Sequence, residues 1–207
     1  MTETVDVFAD YVCPFCYLGL QSLGEYERQR DEPLDREWHP FDLRAQKRDA
    51  DGEIDHSVED GKDEDYFDEV RENVARLKTE YGAEEMLGLD DIPDVDSLDA
   101  QVASLYVQET SPDAWAAFDD ALYAALWEDG RDIGSADVIA DVADSVGLDG
   151  AAVADTVADE TWRSRVFDRF DDAQREGITG VPTFIYDGYA ARGAVPPAQL
   201  ERLVEGA

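Results

Sequence analysis

Two cysteines separated by only two residues, in Cys13-Pro14-Phe15-Cys16, stand where a short alternating segment gives way to a helical stripe, and this junction restricts the chain more than any other feature. Residues 4–8, Thr-Val-Asp-Val-Phe, alternate in polarity and read as a strand with one buried face. Pro14 suits the first position of a helix and biases the residue before it toward extended geometry, so Cys13 is expected at the helix mouth. Cys16, Leu20 and Leu23 then fall on one face. A thiol at a helix amino terminus meets unpaired N–H groups and the positive end of the macrodipole, which favour the thiolate, and the thiolate is the nucleophile. Cys13 is therefore expected to attack. Cys16, one turn later and in line with Leu20 and Leu23, is expected to be more buried and to resolve a mixed disulfide formed at Cys13. Pro14 removes an N–H donor and stiffens the turn, and Phe15 sets an apolar surface beside the reactive sulfur.

A single C-x-x-C leaves other readings open: half of a zinc site, two inert core cysteines, or an incidental disulfide. Zinc needs two further ligands, and the only histidines, His39 and His56, lack the close pairing of a zinc half-site. Two cysteines are too few for a disulfide framework. The strand-then-helix context favours redox chemistry, with no metal, flavin or nucleotide implied, since the sequence also lacks a phosphate loop, a dinucleotide fingerprint and a Ser-His-Asp grouping.

Charge narrows the partners. Against 17 Lys plus Arg stand 51 Asp plus Glu, a formal net charge of −34. Phosphate backbones and anionic lipid surfaces would repel such a chain, so neither nucleic acid nor a membrane surface is an expected partner. No segment approaches the roughly 20 apolar residues of a spanning helix. Apolar residues nevertheless make up 43% of the chain and recur at regular spacing, which excludes disorder. The acidic residues fall between apolar positions rather than in a block, as on a solvated surface whose self-repulsion molar salt would screen; the composition resembles that of proteins from salt-accumulating halophiles. Met1 to Phe8 lack a basic start followed by an apolar run, so a cytoplasmic location is expected.

The rest of the chain supplies a frame. Trp38 to Leu43, preceded by Leu34-Asp35-Arg36-Glu37, reads as a second strand, and residues 46–62 as a polar loop. Helical stripes follow at Tyr66, Val70, Val74, Leu77 and Tyr81, and at Trp115, Phe118, Leu122 and Leu126. Ser135 and Asp149 are placed to cap two further helices, and Trp162, Val166, Phe170 and Ala173 mark another that Gly177 ends. Thr183–Tyr186 and Tyr189–Arg192, joined by Asp187-Gly188, read as a hairpin, and Pro196-Pro197 opens a last helix. The order predicts a sheet split by an all-helical insertion.

Gly177-Ile178-Thr179-Gly180-Val181-Pro182-Thr183-Phe184 sets a proline directly before an apolar strand. Together with Asp10-Tyr11-Val12-Cys13-Pro14-Phe15-Cys16-Tyr17-Leu18-Gly19 and with Trp38-His39-Pro40-Phe41-Asp42-Leu43, this segment resembles the thioredoxin superfamily. More narrowly, the chain resembles the DsbA-like branch that holds FrnE-type dithiol oxidoreductases and 2-hydroxychromene-2-carboxylate isomerases. His39 stands where that pattern usually has Arg. The resemblance implies an α/β thioredoxin fold with an all-helical insertion. Its thioredoxin-fold parts would fall at about residues 1–45 and 175–207 and the insertion at about 60–175. It also implies a cis Pro182 beside Cys13, with the Val181 backbone pairing to an extended substrate. Isomerase and kappa-class glutathione transferase relatives generally carry Ser at the position of Cys13, whereas this chain keeps both cysteines. The expected activity is thiol–disulfide exchange by Cys13 and Cys16 with protein or small-thiol substrates, which Pro14, Phe15, Val181 and Pro182 would contact. The alternative is a glutathione-dependent isomerase or transferase. His39 and Asp10 are weighed as modulators of the dithiol against plain strand and turn roles.

Overall fold

A computed structural model describes residues 3–49, 52–58, 61 and 64–206. The alternating amino-terminal segment forms β1 (Glu3–Ala9), whose Val5, Val7 and Ala9 are buried. Helix α1 (Pro14–Gln29) begins at the proline, as its fixed φ predicts, with Cys13 extended at φ −87°, ψ 115°. Strand β2 (Leu34–Pro40) runs parallel to β1, with Phe8 opposite His39 and Ala9 opposite Pro40. It starts earlier and stops sooner than the Trp38–Leu43 reading: Leu34 to Glu37 already pair with β1, whereas after Pro40 the chain turns to serve the site.

Among the described residues seven α-helices follow β2, and six of them precede the remaining strands: α2 (Glu64–Glu80), α3 (Leu98–Thr110), α4 (Pro112–Trp127), α5 (Ala136–Ser145), α6 (Gly150–Asp155) and α7 (Glu160–Arg175). Val74 and Leu77 of the α2 stripe are buried, but Tyr66 at its start is exposed and stacks edge-on against Phe67. Asp149 caps α6 by accepting the Ala152 N–H at 3.1 Å. Ser135 occupies the cap position of α5 without accepting an N–H there, contrary to its expected role.

The chain then returns to the sheet as β3 (Thr183–Tyr186) and β4 (Tyr189–Arg192), and α8 (Pro197–Glu205) closes the fold. Their turn takes positive φ at both central residues, Asp187 at 48° and Gly188 at 79°, the geometry that a two-residue hairpin prefers. Strand order is β2-β1-β3-β4, with β3 antiparallel to both neighbours. This is a thioredoxin fold interrupted by helices. Among the described residues no helix is long and apolar enough to cross a membrane.

Candidate active site

The dithiol sits where β1 ends and α1 begins, a position that the turn Asp10-Tyr11-Val12 fixes. The Cys13 N–H donates to the Asp10 carbonyl at 3.1 Å, and the Cys13 carbonyl opens α1 by accepting the Cys16 and Tyr17 N–H groups at 3.0 and 3.3 Å. Both cysteines are free thiols. Cys13 is 4% exposed and Cys16 fully buried, the order that the helical face predicts.

From the other end of the chain, the Val181–Pro182 bond is cis and brings the Val181 carbonyl to 3.7 Å from the Cys13 sulfur, which donates to it. Gly19 permits this approach. A Cβ at that position would lie 3.0 Å from the Pro182 ring and 3.1 Å from Phe184, so only glycine lets α1 lie this close to the Pro182 loop. Pro182 is buried, while Val12, Pro14, Phe15 and Val181 are half-buried, and Leu43 is exposed. The structure thus brings together all six site residues expected from sequence.

Burial dominates the electrostatics. It pushes the Cys16 thiol well up, and the neighbouring Cys13 thiol adds to the effect. The charge of the Asp10 carboxyl also raises the Cys16 thiol, and Asp10 is itself fully buried, so burial raises its pKa to about 6. That rise is opposed by the Ser97 hydroxyl, which donates to Oδ1 at 2.6 Å, and by the Leu43 N–H, which donates to Oδ2 at 2.9 Å. Gln101 also donates to Oδ1, at 3.4 Å.

The next turn residue is held by α4. The Tyr11 hydroxyl donates to Asp119 at 2.7 Å, and the Trp127 indole N–H donates to the Tyr11 carbonyl at 2.8 Å. Tyr123 of the same helix is buried and faces Cys16, Asp119, Tyr11 and Asp10.

Sequence reasoning missed this second half of the site. Ser97, Gln101, Asp119 and Trp127 lie about a hundred residues from the dithiol, and no local pattern announces them. Asp10 was legible only by its place three residues before Cys13. His39 turns elsewhere: its Nε2 lies 2.8 Å from Asp6, and its ring stacks on Phe8 with centroids 4.5 Å apart, a strand histidine with strand partners. Among the described residues, no group of three His, Cys, Asp or Glu side chains could hold a metal ion.

A thioredoxin fold carrying helices between its two halves, with a dithiol at the head of α1 and a cis proline facing it, defines a DsbA-like protein. Residues 4–205 match the DSBA-like thioredoxin domain family, and the chain belongs to it. YwbO of Bacillus subtilis, an uncharacterized protein, is 23% identical over 205 residues, covering 99% of this chain and 96% of its own. Among solved structures, a 2-hydroxychromene-2-carboxylate isomerase superposes with a TM-score of 0.74 at 21% identity, covering 96% of this chain and 92% of that one. The cytosolic disulfide reductase DsbM of Pseudomonas aeruginosa, solved with GSH, superposes with a TM-score of 0.59 at 18% identity, covering 98% and 93%. These superpositions are likenesses of fold. Members of this family are oxidoreductases or isomerases.

Proposed function

We propose that this chain is a thiol–disulfide oxidoreductase in which Cys13 exchanges with a disulfide of a protein or small-thiol substrate and Cys16 resolves the product. One observation carries the reading: the Cys13 sulfur at the mouth of α1 lies 3.7 Å from the carbonyl that precedes the cis proline, with a second thiol buried one turn behind it. The Cys13 thiolate attacks one sulfur of the substrate disulfide. That S–S bond breaks, one substrate thiolate leaves, and a mixed disulfide forms. Cys16 then attacks the Cys13 sulfur, the second substrate thiolate leaves, and the pair is oxidised while the substrate gains two electrons. Run backward, the same steps oxidise a substrate dithiol.

Cys16 must lose its proton in the second step, and Asp10 is the carboxyl that faces it, with a pKa of about 6 that suits it to accept one near neutrality. Val181 and Pro182 receive an extended substrate segment, and Pro14 and Phe15 line its path. The entry around the dithiol supports an FrnE-type assignment, the division into thioredoxin-fold parts about 1–45 and 175–207 with an insertion about 60–175 goes with it, and the cytosolic DsbM is consistent with work in a cytoplasm. The net charge of −34 supports a high-salt environment, in which screening removes repulsion between exposed carboxylates.

Two variants test the exchange. Cys13→Ser should abolish disulfide exchange, whereas Cys16→Ser should complete only the first step and accumulate a mixed disulfide detectable by mass. Turnover that survives Cys13→Ser would overturn the proposal and favour the glutathione-dependent isomerase reading.

A further inference from the structure

Arg48 lies beyond β2 and touches neither cysteine in this structure, yet its guanidinium is built into the site's surroundings with no donor to spare. Its side chain is 5% exposed. Nε donates to Asp42 Oδ2 at 2.6 Å and Nη2 to Asp42 Oδ1 at 3.3 Å. Nη1 and Nη2 each donate to a different oxygen of Asp96 at 2.7 Å, and Nη1 also reaches the Gly52 carbonyl at 2.9 Å. Five N–H donors thus serve two carboxylates and one main-chain oxygen, a planar fork that a lysine cannot reproduce.

The residues held by this fork are the immediate neighbours of two of the groups that hold Asp10, the Val12 N–H at 3.3 Å and Gln101 at 3.4 Å being the others. Asp42 precedes Leu43, whose N–H donates to Asp10 Oδ2; Asp96 precedes Ser97, whose hydroxyl donates to Oδ1. One donor comes from the segment after β2 and the other from the start of α3, elements that share no strand or helix. Arg48 is the buried cation that ties them together, beside a more exposed Arg44–Asp94 pair at 2.8 Å. Asp42 is almost completely buried and Asp96 a third exposed, so without the cation two facing carboxylates would be left to repel each other in a poorly solvated place. The segments would separate, and with them the two donors on Asp10.

The geometry assigns Arg48 as a positioning residue for disulfide exchange: by fixing Asp42 and Asp96 it holds the Leu43 N–H and the Ser97 hydroxyl on Asp10, and so keeps that carboxyl set against Cys16. This inference rests on the exchange reading above. The ionisable groups that face Asp10 are Cys16, Tyr123 and Asp42. Of these, Asp42 alone belongs to the clamp, and Arg48 is the cation that offsets it.

The experiment uses the full chain with Arg48→Gln, Arg48→Lys, Ser97→Ala and Asp10→Asn, the last also combined with Arg48→Gln. Carboxyl-carbon NMR follows the titration of Asp10, assigned by its loss in Asp10→Asn. Stopped-flow kinetics follow release of glutathione from a mixed disulfide preformed on Cys13. Both Arg48 variants should move the Asp10 titration upward by about a unit, because lost donors favour the protonated acid. They should also slow glutathione release at pH 7 about tenfold, and Arg48→Gln should add less than a twofold change in the Asp10→Asn background. Ser97→Ala removes one donor without disturbing the clamp and should shift the titration in the same direction, which keeps the test intact if an Arg48 variant fails to fold. A clamp that only stabilises the fold would lower the unfolding midpoint yet leave the Asp10 titration in place, and that result overturns the inference. So does an undiminished slowing in the Asp10→Asn background, or a Ser97→Ala protein whose Asp10 titrates as in the parent. If the parent releases no glutathione at all, the exchange reading fails, while the titration still reports whether Arg48 sets the carboxyl.

Discussion

The Tyr11 hydroxyl donates to the Asp119 carboxylate at 2.7 Å, joining the turn just before Cys13 to the middle of α4 across 108 residues of chain. Arg36 of β2 completes the arrangement 3.3 Å from the other oxygen of Asp119. Helix α4, β2 and the dithiol turn are therefore joined at Asp119.

Tyr11→Phe keeps the ring, which packs against Trp38 and Tyr123, but leaves a buried carboxylate oxygen without its donor. Removing one partner of such a bond costs about 1–3 kcal/mol. Urea unfolding at fixed salt should register that loss as a lower midpoint with an unchanged slope. An unchanged midpoint would mean that the Tyr11–Asp119 bond does not anchor the turn.

Asp10 and Asp119 both have pKa values raised by burial to about 6, against 3.8 for the free side chain. A raised carboxyl binds its proton more tightly in the folded state. Its contribution to stability is therefore fully present below about pH 4 and is lost as pH rises toward 6, by roughly 3 kcal/mol for each group. Subtracting the pH–stability curve of Asp119→Asn from that of the parent isolates one of the two. The difference should fall between pH 4 and 6 and be flat above; a difference that rises across this window has the wrong sign for burial.

Gly19 lies in the interior of α1, where alanine ordinarily gains about 1 kcal/mol in helix propensity. Here the added methyl would meet the Pro182 ring and Phe184 at 3.0 and 3.1 Å, and both of those side chains are buried. Overpacking of this kind costs about 1–3 kcal/mol, so Gly19→Ala should lower the thermal midpoint and slow exchange by displacing the Pro182 loop. A protein made more stable and equally active by the substitution would show that the loop gives way freely.

The two thiols should react in sequence. Cys16 is fully buried with its pKa pushed well up, whereas Cys13 keeps 4% of its surface exposed at the mouth of α1. Iodoacetamide at neutral pH should add one carbamidomethyl group to the native reduced protein, mapped by peptide mass to Cys13, and a second only after unfolding. Equal labelling of both would contradict the assignment of attacking and resolving roles.

What the sequence made legible follows from how each element announces itself. Strand β1, the start of α1 and the Asp187-Gly188 hairpin are specified by neighbouring residues, so alternation, a proline and a turn dipeptide sufficed to read them. Helix α3 gave no stripe, because Leu98, Val102, Leu105 and Val107 share burial with Ala100, Gln101, Ala103 and Ser104, and a helix buried almost all round has no polar face to reveal its period. The dithiol and its facing proline were legible from motif and resemblance. The anchoring of Asp10 and Tyr11 was not, since Ser97, Asp119 and Trp127 meet the turn only after the chain has folded.

The central claim is that Cys13 and Cys16 form a redox pair. Equilibrating the protein against graded glutathione or dithiothreitol buffers in molar salt, with the thiol state read by alkylation and mass, tests it most directly. The account predicts one reversible two-electron transition that vanishes in Cys13→Ser and in Cys16→Ser. A potential near roughly −120 mV would mark an oxidant like DsbA, and one near roughly −270 mV a reductant like thioredoxin. A pair that shows no reversible two-electron transition in any of these buffers would contradict the account.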